Sequence, residues 1–192
     1  MLFDLILKTR SYRRFYQSEP IAMEDLHHLI EYARFAGSAR NVQPLKYMLI
    51  NNPEMNAAIF PQLGWAGYLP EWRGPVEGER PAAYIICLLD RRICEEADCD
   101  LGIATQNILL GATELGLGGC RIASISPKLH ALLNLPDWAR ILLVIALGKP
   151  IEKVVVDTMF EGDSCRYWRD AEQVHHVPKR GLLDIILTYN PL

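Results

Sequence analysis

No apolar run in the 192 residues approaches the roughly 20 that a membrane-crossing helix needs; stretches such as Ile141–Leu147 stop far short. The opening residues, Met1 through Arg10, place Asp4 ahead of any basic side chain and offer no small-residue cleavage site, unlike a secretory signal. Five cysteines occur without a Cys-x-x-Cys pair, which disfavours a disulfide framework or a zinc ribbon. A reducing, cytoplasmic setting is the expectation. Neither sign of charge dominates: 20 Lys and Arg against 23 Asp and Glu give −3. That balance leaves no broad basic face for nucleic acid. What remains is an ordinary globular composition, 50% hydrophobic and 22% charged, in a length that fits one domain over residues 1–192.

The periodicity alternates between helix and strand. Leu2, Phe3, Leu5 and Ile6 open an amphipathic helix that runs into Arg10-Ser11-Tyr12-Arg13-Arg14. Leu26, Leu29, Ile30 and Ala33 recur at helical spacing between Met23 and Ala36. Strands are expected at Tyr47–Ile50, stopped by Asn51-Asn52-Pro53, at Ala83–Leu89, at Gly119–Ile125 and at Ile141–Leu147, with Lys149–Asp157 as an edge continuation. Ala83–Leu89 has no polar alternation, so it should be covered on both faces. A helix over about Asp98–Leu115 is apolar around most of its circumference and belongs in the core or a subunit interface, with Gly116 as its stop. Ser126-Pro127 should start a helix ending near Leu133. Residues 61–81 form one long irregular loop rich in Gly and Pro, and residues 178–192 a C-terminal segment. The pattern alone leaves α+β and α/β both open.

Few residues suggest chemistry by themselves. Gly116-Leu117-Gly118-Gly119 mimics a dinucleotide fingerprint, but Arg121 stands where the third glycine belongs and the helix precedes the strand. A helix stop and tight turn is the better reading. Cys87 belongs to the core, and His175-His176 reads as a surface pair in a polar tail rather than a metal site. Arg10, Arg13 and Arg14 could form an anion site with the Ser11 hydroxyl, since guanidinium forks match phosphate oxygens. Taken alone, a solvated basic helix end is the better explanation of them. Lys179-Arg180 is a second basic pair that could converge on the same phosphate.

Taken together, the motifs resemble those of the FMN-dependent nitroreductases. Arg10-Ser11-Tyr12-Arg13-Arg14-Phe15 is similar to the family's Arg-Ser-x-Arg-x-Phe opening, and Ser38-Ala39-Arg40-Asn41-Val42-Gln43-Pro44 to its Asn- and Gln-Pro-containing loop. Asp100 through Gly118 resembles the long central helix with its Gly-Leu-Gly ending, and Pro178-Lys179-Arg180 the terminal basic motif. The resemblance implies a three-layer α+β fold, a mainly antiparallel sheet flanked by helices, in an intertwined homodimer with FMN at the subunit interface. It implies that Arg10, Ser11 and Arg13 hold the phosphate and flavin edge, joined by Lys179 or Arg180. Ser38, Ala39 and Asn41 would reach across from the partner. Arg121, Ala123 and Ser124 would lie in the stretch whose backbone meets flavin N5, with Asp100 at the flavin edge. Thr9 and Leu45 depart from the pattern, standing where many relatives have Arg and Trp.

The activity implied is hydride transfer from NAD(P)H through FMN to a small electrophile such as a nitroaromatic or quinone, in ping-pong order and without a catalytic acid or base. An FMN storage or sensor protein, or a flavin-fragmenting or dehalogenating member of the superfamily, would share the clamp. Trp65, Tyr68 and Trp72 either line the substrate slot or staple the 61–81 loop to the core or the dimer.

Overall fold

Ala83–Asp90 is buried along its whole length, as an apolar strand without alternation must be when helices cover both faces of its sheet. The structure, a computed structural model that describes residues 1–187, places it in a four-stranded antiparallel sheet. In chain order the elements are α1 (Leu2–Lys8), α2 (Met23–Arg34), β1 (Leu45–Ile50), α3 (Pro53–Ile59), β2 (Ala83–Asp90), α4 (Asp98–Glu114), β3 (Gly118–Ile122), α5 (Lys128–Leu132) and β4 (Ala139–Gly148). The strands lie in the order β1-β2-β4-β3. Alternate side chains face opposite layers. Ile85, Cys87, Ile145 and Leu147 pack with Leu26 and Leu29 of α2 and Ile108 of α4. Tyr84, Ile86, Val144 and Ala146 pack with Ile59 of α3 and Leu129 of α5. The result is the three-layer α+β arrangement.

Several boundaries depart from the sequence reading for identifiable reasons. Asn51-Asn52-Pro53 stops β1 but also starts α3: the Asn52 side chain accepts from Met55 N at 2.9 Å, and Pro53 occupies the first turn. Gly116 does stop α4, at φ +73. Ile103 of that helix, however, is 42% exposed, so its apolar circumference is not all covered within one chain.

The larger correction lies beyond β4. Residues 149–157 do not extend the main sheet. Instead β5 (Val154–Met159) pairs in parallel with β7 (His175–Arg180), and β6 (Trp168–Arg169) pairs antiparallel with β7, forming a separate small sheet. A short 3₁₀ turn, Leu182–Ile185, follows; residues 188–192 of the expected C-terminal segment lie outside the described residues.

Residues 11–15 cross the end of the main sheet, and glycines make room for them. Ser11 bridges Gly119, with Tyr12 N donating to Gly119 O at 3.1 Å. A Cβ on Gly118 would sit 2.5 Å from the Tyr12 ring and one on Gly148 2.7 Å from Phe15, which is fully buried, while one on Gly119 would sit 2.5 Å from the Ala146 carbonyl oxygen of the neighbouring strand. Gly119→Ala is therefore expected to lose about 1–3 kcal/mol, since the backbone it strikes cannot rotate aside. A urea midpoint unchanged from wild type would refute this.

Candidate functional site

The crossing segment delivers cationic side chains to one concavity. A cleft of about 320 Å³ is lined by Thr9, Arg10, Ser11, Arg13 and Leu109, by Gln106 and Arg121, and by Tyr167, His175, Val177 and Lys179. Among the described residues, four cationic side chains and no carboxylate line it. The two basic clusters, far apart in sequence, do converge.

Local structure selects which bases take part. Arg10 Nη2 donates to Ile6 O at 2.7 Å, tethering it to the last turn of α1, while its Nε is buried without a partner among the described residues. Arg13 Nη1 donates to Ser11 O at 3.1 Å and to His175 Nε2 at 3.2 Å. Arg14 is excluded: its guanidinium forms a two-pronged pair with Glu79, at 2.6 and 2.5 Å, which holds the Glu79 carboxyl below its usual pKa. Strand alternation decides between the last two bases. His175, Val177 and Lys179 line the cleft; Arg180 does not. Arg121 reaches in from β3, its Nε donating to Thr105 Oγ1 at 2.8 Å and its Nη2 to Gln106 Oε1 at 2.9 Å. Thr9, where the resemblance would favour Arg, is buried and bonds Thr113 of α4 through its hydroxyl at 3.0 Å.

The remaining expected residues lie elsewhere in the chain. Asp100 is buried, and its carboxylate accepts from Ser38 Oγ at 2.5 Å and Ala39 N at 3.1 Å. It therefore fixes the 38–43 loop, in which Arg40, Asn41 and Gln43 all have φ above +50. Left-handed non-glycine residues clustered this way are strained, and the Asp100 contacts offset part of that cost. Ala123 and Ser124 are exposed; Ala123 borders a different depression near His130, and Ser124 O accepts from Gly64 N at 2.8 Å.

The aromatic loop is stapled rather than open. Trp65 packs on Phe60 and Trp72 with centroids at 5.6 and 6.5 Å, and Gly74, at φ +111, leaves the space for the Trp65 ring. Tyr68, 48% exposed, meets Tyr167 at 5.0 Å. None of the three lines the cleft.

Sequence reasoning missed Tyr167, His175 and Glu152. His175, expected on the surface, is 1% exposed; burial first, and then the charges of Arg13 and Arg169, push its pKa down to about 4. Glu152 is buried beneath the crossing segment, accepting from Arg13 N and Arg14 N and pairing with Arg169 at 3.0 Å. Its sequence context carries no periodic signal for this.

The nitroreductase family model matches residues 6–149, three-quarters of the length. The chain belongs to the nitroreductase family. An Archaeoglobus fulgidus protein assigned as an NADH dehydrogenase/NAD(P)H nitroreductase is 27% identical over 154 residues, 76% of this nitroreductase-family chain and 83% of its own. An iodotyrosine deiodinase of Thermotoga neapolitana is 25% identical over 170 residues, 78% of this chain and 89% of its own. Among solved structures, an FMN-dependent nitroreductase from Clostridium difficile has the same fold, with a TM-score of 0.63 at 20% identity, over 79% of this chain and 88% of that one. The family match ends at Lys149, before the small sheet begins. Among the described residues no helix is long and apolar enough to cross a membrane.

Proposed function

We propose that this nitroreductase-family protein is an FMN-dependent oxidoreductase that takes hydride from NAD(P)H and passes it to a small electrophile such as a nitroaromatic or quinone. The observation that carries the reading is the convergence of Arg10, Arg13, Arg121 and Lys179 on one cleft that no carboxylate lines among the described residues. A dianionic phosphate fits that donor set, and the buried, unpartnered Arg10 Nε is a donor that such an anion would satisfy. The Ser11 hydroxyl adds a donor beside it. The cleft volume falls in the range of small-molecule sites.

FMN, when bound, supplies the hydride chemistry. The protein's own residues bind and orient: Arg10, Ser11 and Lys179 grip the anionic end, while Arg13 and Arg121 place positive charge along the cofactor. No side chain is needed as acid or base for that role. Ser38, Ala39 and Asn41 are assigned to the partner's site, on a loop held rigid by Asp100. A homodimer also accounts for the exposed apolar side chains of Leu2, Phe3, Ile103, Leu182 and Leu183. Its mass in solution should be twice 21.8 kDa.

Arg13→Ala and Lys179→Ala are each expected to lower flavin occupancy of the purified protein about tenfold or more, whereas Arg180→Ala should leave it unchanged. Absorbance near the flavin bands reads this directly; full occupancy in both clamp variants would sink the assignment. The deiodinase relative favours a second reading, reductive dehalogenation. Consumption of NAD(P)H with a nitroaromatic but not with a halogenated phenol separates the two.

A further inference from the structure

The small sheet lies outside the family match, yet it supplies three of the cleft's side chains and part of its wall. His175 on β7 faces Arg13. A guanidinium can only donate, so at 3.2 Å His175 Nε2 is the acceptor and the ring proton resides on Nδ1. That Nδ1 is buried and has no partner among the described residues. The imidazole therefore tolerates an orphaned donor at one nitrogen while its other nitrogen receives Arg13. Tyr167 backs the same guanidinium, whose Cζ stands 5.0 Å from the ring centroid, and the Tyr167 and His175 rings are 5.2 Å apart. Tyr68 N donates to Tyr167 Oη at 3.2 Å, so the 61–81 loop braces the row from outside. Arg13 is thus held on three sides: by the Ser11 carbonyl, the His175 nitrogen and the Tyr167 face.

We propose that His175 is a positioning residue for Arg13, through which the appended sheet fixes the guanidinium in the orientation that receives the anionic cofactor. The inference rests on the FMN reading given above. A long side chain ordered before the ligand arrives loses less freedom on binding than one that must be ordered by it. The buried, unpartnered Nδ1–H separates this role from a purely structural one. An apolar ring in the same space removes a buried donor that has no partner, so the fold should not suffer, while Arg13 loses its acceptor.

The experiment titrates FMN into flavin-free protein and follows quenching of flavin fluorescence, alongside the thermal midpoint of the flavin-free form at pH 8. His175→Phe is expected to weaken FMN binding roughly tenfold with little change in midpoint. His175→Gln, which returns an acceptor near the Nε2 position, should recover most of that loss. In an Arg13→Ala background His175→Phe should add nothing further, because the two changes remove the same interaction. FMN binding by His175→Phe equal to wild type overturns the positioning role, as does an undiminished tenfold loss in the Arg13→Ala background. Should His175→Phe not fold, His175→Leu carries the same expectation and the same refutation. Failure of the unaltered chain to bind FMN overturns the reading of the cleft itself and this inference with it.

Discussion

Glu152→Ala is expected to cost about 3–5 kcal/mol, the largest loss of any single substitution outside the apolar core. The Glu152 side chain is completely buried and that of Arg169 is 8% exposed, with 3.0 Å between them. The same carboxylate accepts the backbone N–H groups of Arg13 and Arg14. Truncation strands a cation whose pKa burial already drives down, and it leaves two half-buried amides without their acceptor as well. At roughly 2–4 °C per kcal/mol for a chain of this size, the thermal midpoint should fall by about 10 °C. Glu152→Gln keeps an acceptor for the amides, so its loss should be smaller. A Glu152→Ala midpoint within 2 °C of wild type (about 1 kcal/mol) would mean that Arg169 finds water or another partner.

The second large effect depends on pH. His175 is neutral in the folded state, with its pKa pushed down to about 4 by burial and by Arg13 and Arg169. In the unfolded chain it titrates near 6.5. Between those values the unfolded state holds the extra proton, so stability falls as pH drops from about 6.5 and the loss is complete near pH 4. The full gap corresponds to about 3 kcal/mol. His175→Phe has nothing to titrate there. Its stability relative to wild type should rise by that amount between pH 7 and pH 4. Parallel urea midpoints for the two proteins across this range would show that the imidazole gains its proton without penalty in the native state.

The apolar framework was legible because its signals are local. Unbroken apolar runs gave β2 and β4, helical spacing gave α2, and a nearly all-apolar stretch gave α4. The cationic end of the site was legible through Arg10, Ser11, Arg13 and Lys179, though not through Arg14, since pairing with Glu79 is a tertiary fact. The choice of Lys179 over Arg180 needed the phase of β7, and residues 149–180 are too polar to show it. The small sheet rests on one buried charge pair, Glu152–Arg169, and on hydrogen bonds rather than apolar alternation. Glu152, Arg169 and His175 therefore looked like solvated positions. Asn52-Pro53 failed differently, because one dipeptide is both a good strand stop and a good helix start.

Arg10 and Lys179 line the same cleft although 169 positions separate them in the sequence. A nascent chain still threading the ribosome tunnel with β7 inside it has one jaw of the cleft and no other. A product cut short before residue 175 should therefore be made without pigment, however much riboflavin phosphate the cell contains.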